Sequence, residues 1–346
     1  MKVVVATTQD LFVRGGGATS HAEGLAAALL SLGHEVETVR IPFGWRHKYE
    51  VLRQAYQWRM LDLRETGADL VITLKFPAFY VRTERKVAWI LHQHRPLYDN
   101  FDLPEYSAFS SQIAEDVAIR DAVVRWDTAY LGEMERIFTN SRTVADRLRR
   151  YNGLEGEPLY HPPPLAGRLL SGPFSDYVLW VGRLEANKRP GLLLDALALT
   201  KSRLRAVFAG RGPLEEALRE ATRARGLEGR VELRGLVSDE EKIALYAGAR
   251  AVVYPPFNED LGYVTLESFL AGKPVITMLD AGGPTEFVRD GVNGFVARDA
   301  AGLAAAIDAY ADDEGLAARH GAAGRATYAG TIPAWDAVCA RLLEGV

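Results

Sequence analysis

The sequence holds a single cysteine, Cys339, among its 346 residues. One thiol cannot form a disulfide within the chain or build a cysteine zinc site, and such sparing use fits a reducing compartment. No apolar run reaches 18 residues, the length that a transmembrane helix needs. The apolar stretch within residues 1–7 is too short for a secretory signal, and polar residues follow it directly. We therefore expect a cytoplasmic protein without a transmembrane segment.

Patterns typical of metal and nucleic-acid binding are also missing. No Asp-x-Asp sequence occurs, and no histidines, aspartates and glutamates have the spacing of a transition-metal site. The net charge of −4 gives no general attraction to nucleic acid. A bound phosphate would then be neutralised by arginine, lysine and helix N-termini, so we expect neither a metal nor a nucleic-acid partner.

Both halves of the chain alternate apolar, strand-like runs with amphipathic helices, which is typical of parallel sheets. Strands are predicted at residues 3–7, 35–39, 70–73, 87–91 and 136–139, and again at 177–181, 206–209, 231–233, 251–254, 275–277 and 295–296. The stiff segment His161-Pro162-Pro163-Pro164 separates the two sets.

This alternation predicts an α/β fold of two doubly wound, Rossmann-like domains facing across a cleft. We place the domains at residues 1–163 and 164–330, and a helix at about 331–346 could pack back onto the first. Residues 43–63 and 111–135 are predicted to be largely helical. The former segment is rich in aromatic and basic residues, which fits a solvated face or a surface for an acceptor or a membrane.

Two glutamates bracket the predicted loop between the strand 251–254 and the following helix. Glu259 lies in the loop, and Glu267 lies eight residues later on the helix. Backbone N–H groups and the helix dipole between two carboxylates suit a phosphate flanked by hydroxyl groups. The alternative is that Glu259 caps the helix and Glu267 is solvated.

Other candidate residues also follow predicted strands. Arg183 and Lys188 flank the loop after strand 177–181, where they could clamp a diphosphate or be merely exposed charges. His92 directly follows strand 87–91, at the edge where α/β sheets bind ligands, although a structural role is also open. Gly15-Gly16-Gly17 permits close backbone approach to a ligand, or forms a flexible connector.

These motifs together resemble a known family. Residues 181–188, 209–213, 235–237, 259–267 and 282–286 are similar, in order and spacing, to the donor-binding half of family-4 glycosyltransferases, which are retaining enzymes of the GT-B fold with a Glu-x7-Glu motif. The similarity covers about residues 178–297. The first half is similar more loosely, through the glycine loop, residues 33–36, His92 and residues 139–141.

The resemblance implies a role for each matching residue. Arg183 and Lys188 would bind the donor diphosphate and stabilise the leaving group, Glu259 would bind the transferred sugar, and Glu267 would bind the ribose hydroxyls. His92 would lie beneath the sugar ring, with His94 as the alternative. Further donor contacts are expected from Gly15, Gly16, Gly17, Gly182, Arg211, Leu236, Val237, Asp260, Leu261, Gly262, Tyr263 and Val264. The acceptor side is expected at His94, Arg95 and Tyr98.

The implied activity is metal-independent, retaining transfer of a hexosyl group from a UDP- or GDP-linked donor, without a cofactor. The acceptor would be a glycan, a lipid-linked molecule or a small molecule, peripheral membrane contact is possible, and the oligomeric state stays open. Alternatives are another GT-B sugar-nucleotide enzyme, an epimerase or a phosphorylase, or a non-catalytic partner in a glycan-assembly complex.

Two departures from the family pattern stand out. Arg189 follows Lys188 where glycine is common, which adds a phosphate contact or removes a flexible hinge. Asp260-Leu261-Gly262 replaces Gly-Phe-Gly, which puts an extra carboxylate near the sugar.

Overall fold

The computed structural model describes residues 1–10, 16–44 and 47–345, apart from the side chain of Asp10. The chain forms two compact units. The first comprises Met1–Pro164 and Pro333–Val346, and the second comprises Leu165–Ile332.

The first unit is built on a parallel sheet with the strand order β2-β1-β3-β4-β5-β6. Because strands are added on one side of β1 and then on the other, the order reverses between β1 and β3, which makes their carboxyl ends a topological switch point. The strands are β1 (Lys2–Asp10), β2 (Glu35–Phe43), β3 (Leu70–Thr73), β4 (Lys86–Ile90), β5 (Arg136–Thr139) and β6 (Glu157–Pro158). The helices are α1 (Gly17–Ser31), α2 (Glu50–Met60), α3 (Ala114–Leu131) and α4 (Arg142–Asn152).

Alternate residues of β1 fill two different cores in this unit. Val3 and Val5 belong to the cluster that contains Leu25 and Leu29 of α1. Val4 belongs to the cluster on the other face, with residues of α2, α3 and α4. Burial on both faces explains why the central strands are continuous apolar runs.

The second unit repeats the architecture with the strand order β12-β11-β10-β7-β8-β9, again parallel, and its switch point lies between β7 and β10. Its strands are β7 (Tyr177–Val181), β8 (Arg205–Ala209), β9 (Val231–Gly235), β10 (Ala251–Val253), β11 (Val275–Met278) and β12 (Gly294–Ala297). Its helices are α5 (Pro190–Leu199), α6 (Glu215–Ala224), α7 (Asp239–Gly248), α8 (Tyr263–Leu270), α9 (Pro284–Phe287), α10 (Ala300–Asp312) and α11 (Glu314–Thr331).

The last helix, α12 (Trp335–Leu343), belongs to the first unit, where Val338, Cys339 and Leu342 are buried in the cluster shared with α1. Within residues 1–10, 16–44 and 47–345, no helix has both the length and the hydropathy needed to cross a bilayer.

The predicted fold class is confirmed, because each unit is a doubly wound α/β domain of the Rossmann type. Two predicted helices were too long. Phe43 ends β2, where it is the parallel partner of Asp10, and among the described residues of 43–63 the α-helical part is α2. The predicted helix at 111–135 is α3, which is shorter at both ends.

Candidate active site

The predicted donor residues of the second unit follow neighbouring strands at one edge of its sheet. The loops after β7, β8, β9 and β10 all begin at the carboxyl edge, because these strands are parallel. Gly182, Arg183 and Lys188 follow β7, Arg211 follows β8, Leu236 and Val237 follow β9, and Glu259 to Gly262 follow β10. The structure therefore brings these residues to the edge that contains the switch point between β7 and β10.

Lys188 and Glu259 form an ion pair at this switch point. The two side chains are 14% and 16% exposed, so the pair is mostly shielded from solvent. The Lys188 ammonium also lies 3.4 Å from the hydroxyl of Tyr254. Burial, and secondly the charge of Glu259, raise the pKa of Tyr254 well above its usual value, so this hydroxyl remains protonated.

The backbone around Glu259 is held by the loop after β11. The Glu259 N–H donates to the carbonyl of Ala281 across 2.7 Å, and the Gly283 N–H donates to the carbonyl of Glu259 across 2.8 Å. A Cβ at Gly282 would lie 2.5 Å from the Glu259 carbonyl oxygen. Glycine is therefore required at Gly282 for the two loops to pair.

Glu267 is buried on α8, with 1% of its surface exposed. One carboxylate oxygen accepts a hydrogen bond from Lys242 at 2.8 Å, and the other accepts one from Tyr246 at 2.8 Å. Burial, followed by the Glu267 charge, raises the pKa of Tyr246, which keeps its hydroxyl a donor. The alternative interpretation, in which Glu267 is a solvated helix residue, is therefore wrong.

Lys242 and Tyr246 were missed by sequence reasoning. They lie four residues apart on α7, a spacing that places them on one face of a helix. Nothing in the sequence indicated that this face meets α8.

Arg183 is an exposed cation, unlike Lys188. Its side chain is 57% exposed, and its guanidinium lies 3.1 Å from Glu185 on the same loop. Arg183 and Lys188 therefore differ in this structure, since Lys188 is shielded and paired across the switch point while Arg183 extends into solvent.

Three glycines bring the loops after β7, β8 and β9 into backbone contact. A Cβ at Gly210 would lie 1.7 Å from the carbonyl oxygen of Gly182, and the Gly210 N–H donates to the Gly235 carbonyl across 2.8 Å. Arg211 extends over Gly235, where a Cβ would approach its Nε to 3.2 Å. Leu236 is 79% exposed, and Val237 is half-buried.

The residues at the start of α8 are buried or half-buried, and Gly262 lies close to the following loop. Gly262 has a φ of 84°, and a Cβ there would meet Pro284 at 2.9 Å. Leu261 and Val264 are buried, while Asp260 and Tyr263 are half-buried. Burial raises the pKa of Tyr263.

In the first unit, the two candidate histidines occupy different surroundings. His92 is half-buried after β4, with its Nδ1 2.7 Å from the carbonyl oxygen of Gln93. His94 is 6% exposed and packs among the rings of Phe43, Phe76 and Phe109. Burial, and then the neighbouring His92, lower the pKa of His94 to about 3. Only His92 retains substantial access to solvent.

The residues predicted on the acceptor side do not face solvent together. Tyr98 is 2% exposed, and its hydroxyl donates to the buried carboxyl group of Asp127. Arg95 forms an ion pair with Asp99 at 2.7 Å. Tyr98 and His94 therefore have little surface with which to contact an acceptor directly.

The glycine loop is described only in part. Gly15 lies outside the described residues, Gly16 precedes α1 with a φ of 115°, and Gly17 is the first residue of α1. Gly16 thus adopts a backbone conformation that other residues rarely take. Among the described residues, no three histidine, cysteine, aspartate or glutamate side chains are arranged to hold a metal ion.

Part of the chain is similar in sequence to glycosyltransferases, and the chain is similar in fold to solved structures. Residues 172–327 match the family described as Glycosyl transferases group 1. The chain is 31% identical over 174 residues to O-antigen chain mannosyltransferase C of Escherichia coli, which covers 49% of this chain and 46% of that protein. It is 30% identical over 229 residues to D-inositol 3-phosphate glycosyltransferase of Streptomyces avermitilis, which covers 56% of this chain and 49% of that protein. The chain thus spans about half the length of these curated relatives.

Solved structures match the whole fold at lower identity. Sucrose-phosphate synthase from Thermosynechococcus elongatus aligns with a TM-score of 0.72 at 19% identity and covers 98% of this chain and 96% of its own. HepE of Anabaena, solved in complex with UDP, aligns with a TM-score of 0.69 at 18% identity and covers 99% of both chains.

Proposed function

We propose that this protein is a retaining, metal-independent glycosyltransferase of family 4 that transfers a hexosyl group from a nucleotide-diphosphate sugar to an acceptor hydroxyl. The observation that carries the proposal is the ion pair of Lys188 with Glu259 at the switch point of the second sheet. Both residues lie in the region 172–327 that matches the glycosyltransferase family.

The donor diphosphate is assigned to Arg183, Lys188 and the N-terminus of α8. Cationic side chains and oriented backbone N–H groups can neutralise a diphosphate, which is the task a divalent metal performs elsewhere. The exposure of Arg183 gives its guanidinium room to turn from Glu185 toward a bound phosphate. No cofactor is needed for this chemistry.

Glu259 and Glu267 are assigned to the two sugars of the donor. A carboxylate accepts hydrogen bonds from hydroxyl groups, and Glu259 retains exposed surface for this purpose. Glu267 is assigned to the ribose hydroxyls, for which Lys242 must share or release one carboxylate oxygen. Leu236 and Val237 are assigned to the base, and Asp260 to the transferred sugar.

In the proposed reaction, the bond between the anomeric carbon and the terminal phosphate oxygen breaks, and a bond to the acceptor oxygen forms on the same face. The proton of the acceptor hydroxyl passes to the leaving phosphate oxygen. Negative charge develops on the diphosphate as the bond loosens, so Arg183 and Lys188 act most strongly in the transition state. His92 is assigned to the sugar ring, and the loop Gly15-Gly16-Gly17 to the phosphates.

The choice of donor and acceptor rests on the relatives. HepE of Anabaena was solved with UDP and with UDP-glucose, and a relative of this chain is a mannosyltransferase, so we propose a UDP- or GDP-linked hexose. We propose a glycan, lipid-linked or small-molecule acceptor and a cytoplasmic location.

A thermal-shift panel of UDP-glucose, GDP-mannose, UDP, GDP and ADP tests the donor site, because a ligand that binds only the folded state raises the melting temperature. Product analysis with and without a candidate acceptor then separates transfer from epimerisation, and added phosphate detects phosphorolysis. Transfer that survives EDTA and gives a product with the donor's anomeric configuration is the expected result. Absence of binding to every nucleotide contradicts the proposal and favours a non-catalytic partner.

A further inference from the structure

Arg189 occupies a backbone conformation that favours glycine. Its φ and ψ are 45° and 50°, between the short 3-10 helix Ala186–Lys188 and α5. The left-handed region is unfavourable for a residue with a Cβ, which glycine lacks. An arginine at this turn therefore needs compensation from the contacts of its side chain.

The guanidinium of Arg189 is committed to protein partners. It donates to the carbonyl oxygens of Pro255 and Pro256 at 2.8 and 2.6 Å, and it forms two hydrogen bonds with the carboxylate of Asp280 at 2.6 and 2.9 Å. It also lies 5.7 Å from the ring centroid of Phe257. The side chain is 17% exposed. These bonds occupy the guanidinium with protein partners, which disfavours the alternative in which Arg189 contacts a phosphate.

These contacts join three loops at neighbouring strand ends. Arg189 belongs to the loop after β7, Pro255 to the loop after β10, and Asp280 to the loop after β11. The three strands are adjacent in the order β11-β10-β7. The Arg189 side chain thus connects the three loops that carry Lys188, Glu259 and Gly282 of the candidate site.

Backbone hydrogen bonds run alongside the same connections. The Phe257 N–H donates to the Asn187 carbonyl across 2.7 Å, and the Asn258 N–H donates to the Asp280 carbonyl across 2.9 Å. Asn258 itself has a φ of 46°, so the segment immediately before Glu259 is held in a second uncommon conformation. A segment of this kind persists only where surrounding contacts fix it.

We propose that Arg189 is a positioning residue for the sugar end of the donor site, a role that rests on the proposed function. It acts through Glu259, because it fixes the preceding segment so that the Glu259 carboxylate meets Lys188. The planar guanidinium reaches two carbonyls and one carboxylate at once, which the single ammonium of lysine cannot do with the same geometry.

The experiment is a double-mutant cycle of Arg189→Met and Glu259→Gln, read by calorimetric binding of UDP-glucose and UDP, or of GDP-mannose and GDP if the wild type prefers guanosine. The measured quantity is the affinity ratio of nucleotide sugar to nucleotide. We expect each single variant to lower this ratio about tenfold, the size of one charge-assisted hydrogen bond, and the double variant to lower it no further. Arg189→Lys is expected to recover part of the ratio.

Arg225→Met is the matched control. Arg225 also forms an ion pair with an aspartate, Asp195, at 2.6 Å, but it follows the end of α6 and so lies toward the amino edge of the sheet. If Arg189→Met changes the ratio no more than this control does, or if the losses in the cycle multiply, the role of Arg189 is refuted.

Folding and function are separated by two further measurements. Circular dichroism identifies an unfolded variant, and if Arg189→Met fails to fold, Arg189→Lys and Asp280→Asn replace it in the cycle under the same criteria. A wild type that binds none of the four ligands refutes the donor site and the role of Arg189 together. A wild type that binds normally while the cycle is multiplicative refutes Arg189 alone.

Discussion

Lys242 and Glu267 form a hydrogen-bonded ion pair between α7 and α8, with 24% of the lysine side chain and 2% of the glutamate side chain exposed. Removal of the lysine would leave a buried carboxylate that still accepts a hydrogen bond from the Tyr246 hydroxyl at 2.8 Å. A buried charge that loses its partner destabilises the fold more than loss of the whole pair does.

We therefore expect Lys242→Met to lower the free energy of unfolding by about 2–3 kcal/mol at pH 7. The double variant Lys242→Met/Glu267→Gln should regain most of this loss, since a neutral amide can still accept from Tyr246. Urea unfolding measures both effects. Simple addition of the losses from the two single variants would show that the two residues are energetically independent.

Lys188 should matter strongly for turnover. Lys188→Ala removes the cation assigned to the leaving diphosphate, and we expect kcat/KM for the donor to fall about 100-fold or more. The change also leaves the Glu259 carboxylate, which is 16% exposed, without its lysine partner, so we expect a lower melting temperature and measure turnover where circular dichroism shows the variant folded.

Lys201→Ala is the control for Lys188. Lys201 is exposed after the end of α5, toward the amino edge of the same sheet, so its loss should leave the kinetics unchanged. Unchanged kinetics in Lys188→Ala as well would remove Lys188 from the site.

Gly210 should tolerate no side chain. A Cβ would lie 1.7 Å from the Gly182 carbonyl oxygen, and the φ of 149° is uncommon for other residues. We expect Gly210→Ala to lower the free energy of unfolding by about 3 kcal/mol or more, since backbone must shift to make room. Gly191→Ala provides the comparison in urea unfolding, because a Cβ there meets nothing within 4 Å and the residue is helical. A loss in Gly210→Ala no larger than in Gly191→Ala would contradict this account.

The sequence predicted the sheets better than the contacts between loops. The apolar strands and the glycine-ended helices have local signatures, so the two α/β units and the residues after each strand could be placed in advance. Strand β6 has only two residues and gave no pattern. The partners of Glu267 could not be predicted, because Lys242 is 25 positions away and the pairing depends on how α7 packs beside α8.

The same limit explains Arg189 and Tyr98. In the sequence, Arg189 stood out only as a departure from the family pattern after Lys188. Its hydrogen-bond partners Pro255 and Asp280 belong to later loops. Tyr98 was expected on the acceptor side, yet its hydroxyl donates a hydrogen bond to Asp127 of α3. Proximity in sequence indicates which loop a residue joins, whereas burial depends on the tertiary packing of that loop.

Stability should fall as the pH is lowered, in part because of His94. Burial lowers the pKa of His94 from 6.5 to about 3 in the folded state, so the unfolded state binds its proton first as the pH drops below 6.5. The stabilisation is present above pH 6.5 and is lost progressively toward about pH 3. Between pH 7 and 5 we expect His94→Leu to lose less stability than the wild type by about 2 kcal/mol. Urea unfolding at pH 7 and at pH 5 measures the difference, and His47→Leu, a change at an exposed histidine, is the control. If the free energy of unfolding changed equally with pH in all three proteins, the prediction for His94 would be contradicted.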